Sequence, residues 1–187
     1  MSLAILFSRY RNELIEFILA FLTLIVAFSY PNIMNFQSVL WIVGVAFVVH
    51  ELCHRFAATS MGLLARFRVW GYGLLITIVS VLLTAGNFTL AAPGTVYIYT
   101  SPSKRERGLI ALAGPFGNLA LALTFASLRP LSAIMGTAAN VNFQLALINM
   151  LPFSILDGRH IMNWNSRIWG GIMVATVFSL ALYIYAR

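Results

Sequence analysis

Long apolar runs broken by short polar punctuation set the plan of this chain. A bilayer core about 30 Å thick takes about 20 apolar residues as helix, and stretches of that kind fall at 14–31, 38–58, 108–128, 137–157 and 168–185. The first closes at Pro31-Asn32. In the third, GLIALAGPFGNLALALTFASL, Ala111, Gly114, Gly117 and Ala120 recur at three-residue spacing, which lets a neighbouring helix come close. Pro115 within it predicts a local kink. The fourth is polar for a span, carrying Asn140, Asn142, Gln144 and Asn149. The region 70–100 departs from this pattern. Its apolar stretch LLITIVSVLLT, at 74–84, is short, and Ala85-Gly86-Asn87 and Ala92-Pro93-Gly94 break the chain after it. Val, Ile and Thr suit a strand as well as a helix. The pattern therefore predicts an all-α polytopic membrane protein of about five transmembrane helices, plus a re-entrant or interfacial segment at 70–100 with room for some β-structure.

Composition agrees. Hydrophobic residues make up 60% of the chain and charged ones 9%, with a mean hydropathy of +0.88, beyond the range of an ordinary soluble domain. The net charge of +7 raises nucleic acid as a partner, but the basic residues sit in short clusters between apolar runs. That is the pattern of topology anchors. The expected surroundings are a lipid bilayer and no nucleic acid. One cysteine excludes an internal disulfide. Arg9 and Arg11 precede the first apolar run, yet Glu13, Glu16 and the tail Ser29-Tyr30-Pro31 do not make a small-x-small cleavage site. A retained first span is expected.

The second run ends in His50-Glu51-Leu52-Cys53-His54. An ionisable residue at membrane depth costs a few kcal/mol at least and persists mainly where it does chemistry. On a helix, His50 and His54 are four residues and roughly 6 Å of rise apart, so both imidazoles share one face and can grip one metal ion. Glu51 is placed to reach a water beside that metal. Cys53 lies about 100° from His54 around the helix, off that face. A catalytic zinc takes three protein ligands and keeps one open position. Of the five acidic residues, Glu13 and Glu16 sit at the basic mouth of the first span and Glu106 in a basic loop, which leaves Asp157 as the third ligand. His160 is the next candidate. Gly158 lets the chain turn directly after Asp157, and Pro152 should bend the helix before it, bringing Asn149 to face the same metal.

The expected centre is thus one zinc ion on His50, His54 and Asp157. Zinc lowers the pKa of water from 15.7 to about 7. Glu51 would take the proton and deliver it to a leaving amine, and the Asn149 amide could steady an oxyanion. Blander roles remain for each residue: a helix–helix hydrogen bond for the histidines, an interfacial helix end for Asp157, interhelical contact for Asn149. Asn118 fits packing or a backbone cap better than catalysis. The leading function is an intramembrane zinc metalloprotease. The alternative is a zinc-dependent membrane transporter or a non-protease membrane hydrolase, although a transporter would spread its metal-binding side chains along a path.

HELCH, Ala113-Gly114-Pro115-Phe116-Gly117-Asn118 and Asn149-Met150-Leu151-Pro152 followed by Leu156-Asp157-Gly158 together resemble the site-2 protease family of intramembrane zinc metalloproteases. The resemblance covers the second run to just past Gly158. It implies that the HExxH helix and a later helix with an LDG motif supply the zinc ligands, that Glu51 is the base, and that Asn149 contacts substrate or oxyanion. It implies further that the substrate is a transmembrane helix of another protein, cut near one membrane face. Neither an inserted PDZ domain nor an appended cystathionine-synthase-type domain is expected. The domain plan is a single membrane-embedded protease domain over 1–187, with a catalytic core at about 38–160 and flanking spans 14–31 and 168–185.

Motifs and charges also constrain topology. The second and fourth spans must run the same way for His54 and Asp157 to meet, so 70–100 must enter and leave on one side. With a cytosolic N-terminus, Arg9, Arg11, Arg55, Arg66, Arg68, Lys104, Arg105, Arg107, Arg159 and Arg167 fall inside, and Arg129 and Arg187 outside. The expected location is a multi-pass protein of a prokaryotic plasma membrane with its site toward the cytosolic face.

Overall fold

The computed structural model describes residues 3–31, 36–87, 89–91, 93–153 and 155–185, with side chains from Asn12 onward. Asn32, Ala92, Arg187 and the side chains of Arg9 and Arg11 lie outside the described residues. The order is α1 (Leu3–Ser29), α2 (Phe36–Ser60), β1 (Ala65–Val69), α3 (Gly71–Leu83), β2 (Gly94–Ile98), α4 (Lys104–Leu128), α5 (Ala133–Asn149), α6 (Asp157–Trp164) and α7 (Ser166–Tyr185). The fold is mostly helical. Among the described residues, four helices are long and apolar enough to cross a membrane: α1 over Asn12–Ser29, α2, α4 continued through Leu131, and α7.

The run expected as a fifth span, 137–157, divides in two. Its first part is α5, 17 residues long and closing at Asn149, and Asp157 opens the separate helix α6. Pro152 is the physical cause, since a proline offers no amide to the preceding turn and its ring obstructs that turn. Trp169 of α7 crosses the break, donating its indole N–H to the Met150 carbonyl at 2.7 Å. Gly158 then passes so near the Met150 and Leu151 carbonyls that a Cβ there would overlap both. The break is packed, and it delivers Asp157 sideways into the bundle.

The segment 70–100 is one short helix between two short strands. An apolar stretch in apolar surroundings satisfies its own backbone best as a helix, and α3 takes up Gly71–Leu83. Its rise is about 20 Å, short of the roughly 30 Å of a bilayer core. The flanking strands pair antiparallel, from Ala65↔Ile98 to Val69↔Gly94. Tyr99 N–H donates to the Leu64 carbonyl at 3.0 Å, so the chain rejoins α4 at the end where it left α2.

The helix α4 is central, packing on α2, α5 and α6. It runs unbroken through Pro115 and starts in a capping box, with Ser103 Oγ accepting from Glu106 N–H and Glu106 Oε2 accepting from Ser103 N–H. Below the site, the small residues Ala122, Ala138 and Ala139 let the Phe125, Phe143 and Tyr183 rings pack into one buried core with Ile42.

Candidate metal centre

His50 and His54 lie one turn apart on α2, and α4 passes directly over their rings. Gly114 makes this approach possible: a Cβ at that position would overlap the His54 ring and crowd His50. His50 Nε2 lies 3.0 Å from His54 Nε2, and Asp157 Oδ2 reaches them at 3.4 and 3.3 Å. The three residues form a group able to hold a metal ion, the histidines buried and Asp157 nearly so.

The hydrogen bonds behind the rings settle which ring nitrogens carry protons. Asn118 Nδ2 donates to the Ala46 carbonyl at 3.1 Å and to Asn142 Oδ1 at 2.9 Å, which uses both its hydrogens and turns Oδ1 toward His50. His50 Nδ1 lies 2.6 Å from that oxygen, so Nδ1 bears the hydrogen. His54 Nδ1 faces the Ile110 carbonyl at 2.7 Å, and a carbonyl can only accept. In the neutral imidazoles that a metal binds, both Nε2 atoms then carry the lone pair, facing each other and a carboxylate oxygen. Three lone-pair donors about 3 Å apart repel unless a cation sits among them. Two imidazoles and a carboxylate suit zinc, whose tetrahedral bonds of about 2.0–2.1 Å place ligand atoms about 3.3 Å apart. The residues fit the metal.

Asn118 is the member that the sequence reading undervalued. It forms the middle of a relay from His50 on α2, through α4, to Asn142 on α5, whose Nδ2 donates on to the Ala138 carbonyl at 2.9 Å. The available signal was an amide three residues past Pro115 in a helix of small apolar residues. Partners of this kind orient a ligand imidazole and are worth about 10–100-fold in metal affinity. Asn118→Ala is expected to weaken zinc binding by about that factor, measured by competition with a chromogenic chelator. Unchanged affinity would return Asn118 to packing.

Glu51, 7% exposed, leaves Oε2 buried with no hydrogen-bond partner among the described residues. Together with His50, His54 and Asp157 it borders a cavity of about 410 Å³. Asn149 borders the same cavity while one of its amide N–H groups donates to the Leu145 carbonyl at 3.0 Å. Cys53 faces Gly117 of α4 and stays outside the metal group. His160 lines the cavity without joining that group. Burial, assisted by Arg107 and Arg159 and opposed by Asp157, pushes the His160 imidazole below its usual pKa. The far wall of the cavity is β2, whose every residue from Gly94 to Ile98 contributes to it.

Over 169 aligned residues the chain is 38% identical to "Putative zinc metalloprotease MJ0611" of Methanocaldococcus jannaschii, covering 85% of this chain and 87% of that protein. No protein-family model matches the chain. No solved structure matches it either.

Proposed function

We propose that this chain, which belongs to the zinc metalloprotease family of its Methanocaldococcus jannaschii relative, is a site-2-type protease that hydrolyses peptide bonds in membrane-spanning segments of other proteins. One observation carries this reading: two histidines inside the apolar, membrane-length helix α2 converge with the Asp157 carboxylate, beside a Glu51 carboxylate oxygen that has no hydrogen-bond partner among the described residues. His50, His54 and Asp157 are the ligands of one zinc ion in this proposal. A zinc ion held there supplies Lewis acidity, making hydroxide available near neutral pH and polarising a carbonyl.

Glu51 Oε2 accepts the proton of the attacking water and passes it to the leaving nitrogen. Buried with no partner among the described residues, that oxygen is committed to none of their donors. The second amide N–H of Asn149 is the candidate donor to the developing oxyanion. A transmembrane helix hides every peptide bond inside its own hydrogen-bond ladder, so it must unwind before it can be cut. The cavity wall offers replacement partners. Antiparallel pairing alternates, and the Tyr99-to-Leu64 and Trp70-to-Pro93 bonds place Arg66↔Tyr97 and Arg68↔Thr95 at hydrogen-bonded positions. The N–H and C=O groups of Gly94, Val96 and Ile98 then point away from β1, along the edge that borders the cavity, where an extended substrate can pair. The basic clusters favour a site toward the cytosolic face.

The deciding experiment presents purified, zinc-loaded protein in liposomes with a single-pass test substrate. Cleavage within the span, stopped by 1,10-phenanthroline and restored by added zinc, is expected. In the same liposomes, single cysteines at Ser60 and Ser103 in a Cys53→Ser background should be labelled from one side. Cuts confined to flanking soluble segments, or labelling from opposite sides, would overturn the intramembrane reading.

A further inference from the structure

The two glutamates of α1 do more than balance nearby arginines. Glu13 Oε1 accepts the backbone N–H of Phe67 at 3.0 Å, and Glu16 Oε2 accepts that of Val69 at 3.0 Å. These are the amides that the register turns away from β2. Residues three apart on a helix face one way and residues two apart on a strand face one way, so the carboxylates meet alternate amides of β1. The outer edge of β1 is thereby closed, and β2 is left as the receiving edge of the sheet.

Glu13 has a second bond. The same Oε1 accepts from Arg55 Nη1 at 2.8 Å, and Arg55 directly follows His54 in α2. One buried carboxylate oxygen thus joins the strand backbone to the helix bearing the two histidines. Arg66 makes the matching ion pair with Glu16 at 2.5 Å. An aromatic trio binds the same three elements: the Phe17 and Phe47 rings stack at 5.0 Å, and Phe67 meets them edge-on at 5.3 and 5.9 Å. Phe67 also fills the space beside Gly94, where a Cβ would overlap its ring. The sheet has no covalent tie to His50 and His54 shorter than the turn after α2, so these contacts decide where β2 stands along the metal helix.

We propose that Glu13 is a positioning residue that fixes the register between the substrate-receiving edge of β2 and the metal centre, and so selects which peptide bond of an extended substrate is cut. The inference rests on the proteolytic reading of the site. An extended chain advances about 3.3 Å per residue, so a shift of the sheet by one strand step would present a neighbouring peptide bond.

The test uses full-length protein in liposomes and maps product termini by mass spectrometry for wild type, Glu13→Ala, Glu13→Gln and Arg55→Gln. Glu13→Ala loses both bonds; it is expected to raise KM about tenfold, with kcat changed less than about threefold, and to yield additional cuts one or two residues away. Glu13→Gln keeps a neutral acceptor for Phe67 and should restore most of the single cut. Arg55→Gln keeps the Phe67 bond while releasing the metal helix. It should also scatter the cuts, and it preserves the test where Glu13→Ala does not fold. A single unchanged cut in Arg55→Gln and in folded Glu13→Ala, with wild type active, overturns the inference and leaves the proteolytic reading standing. Wild type inactive on every single-pass substrate overturns both.

Discussion

Glu51→Gln is expected to retain zinc and lose cleavage. The substitution keeps the shape of the side chain and leaves His50, His54 and Asp157 untouched, so their 3.0–3.4 Å convergence stays available to the metal. What disappears is the one acceptor beside the cluster whose Oε2 has no bond to any described residue. General base catalysis contributes about 10²–10⁴-fold. The same residue also has to protonate the leaving amine, so the loss should reach the upper end of that range. Zinc per chain by atomic emission, read beside the cleavage rate in liposomes, separates the two effects. Loss of metal together with activity would make Glu51 a ligand and require the roles to be redrawn.

The features that were legible in the sequence share one property: they are local. The spacing of His50 and His54 fixes their face on any helix, and the first, second, third and last apolar runs correspond to the four long helices. Asp157 was reachable because so few acids exist to choose from, and the structure does bring it to the histidines. What stayed hidden depends on contacts distant in sequence. The Asn118–His50 bond spans 68 positions, and the Glu13–Phe67 bond spans 54. A sliding window sees Asn118 as a polar blemish and Glu13 as an interfacial charge. Periodicity also blurred the fourth run. Its length suggested a full span through Asp157, whereas Pro152 ends α5 at Asn149 and gives Asp157 a helix of its own. The apolar stretch at 74–84 was ambiguous for another reason: helix and strand both bury Val and Ile well, and only the pairing of Ala65–Val69 with Gly94–Ile98 decides that the strands lie outside it.

Asp157→Ala should behave differently from Glu51→Gln, and the contrast tests the arrangement more sharply than either variant alone. Asp157 is the only carboxylate among the three converging groups, and it opens α6, where the N-terminal end of the helix favours negative charge. Its removal leaves two neutral imidazoles and no anion to balance the cation. If outer partners of a ligand are worth about 10–100-fold in affinity, loss of the ligand itself should exceed about 100-fold. Metal occupancy and cleavage should therefore fall together, and added zinc should restore little of either. The fold should survive, because Gly158 still seats the turn against the Met150 carbonyl and Trp169 still closes the break. Circular dichroism and a chelator competition on the same preparation make the comparison. A variant that holds one zinc per chain at wild-type affinity would show that the third ligand lies elsewhere, and His160, three residues on and lining the same cavity, would be the next histidine to replace.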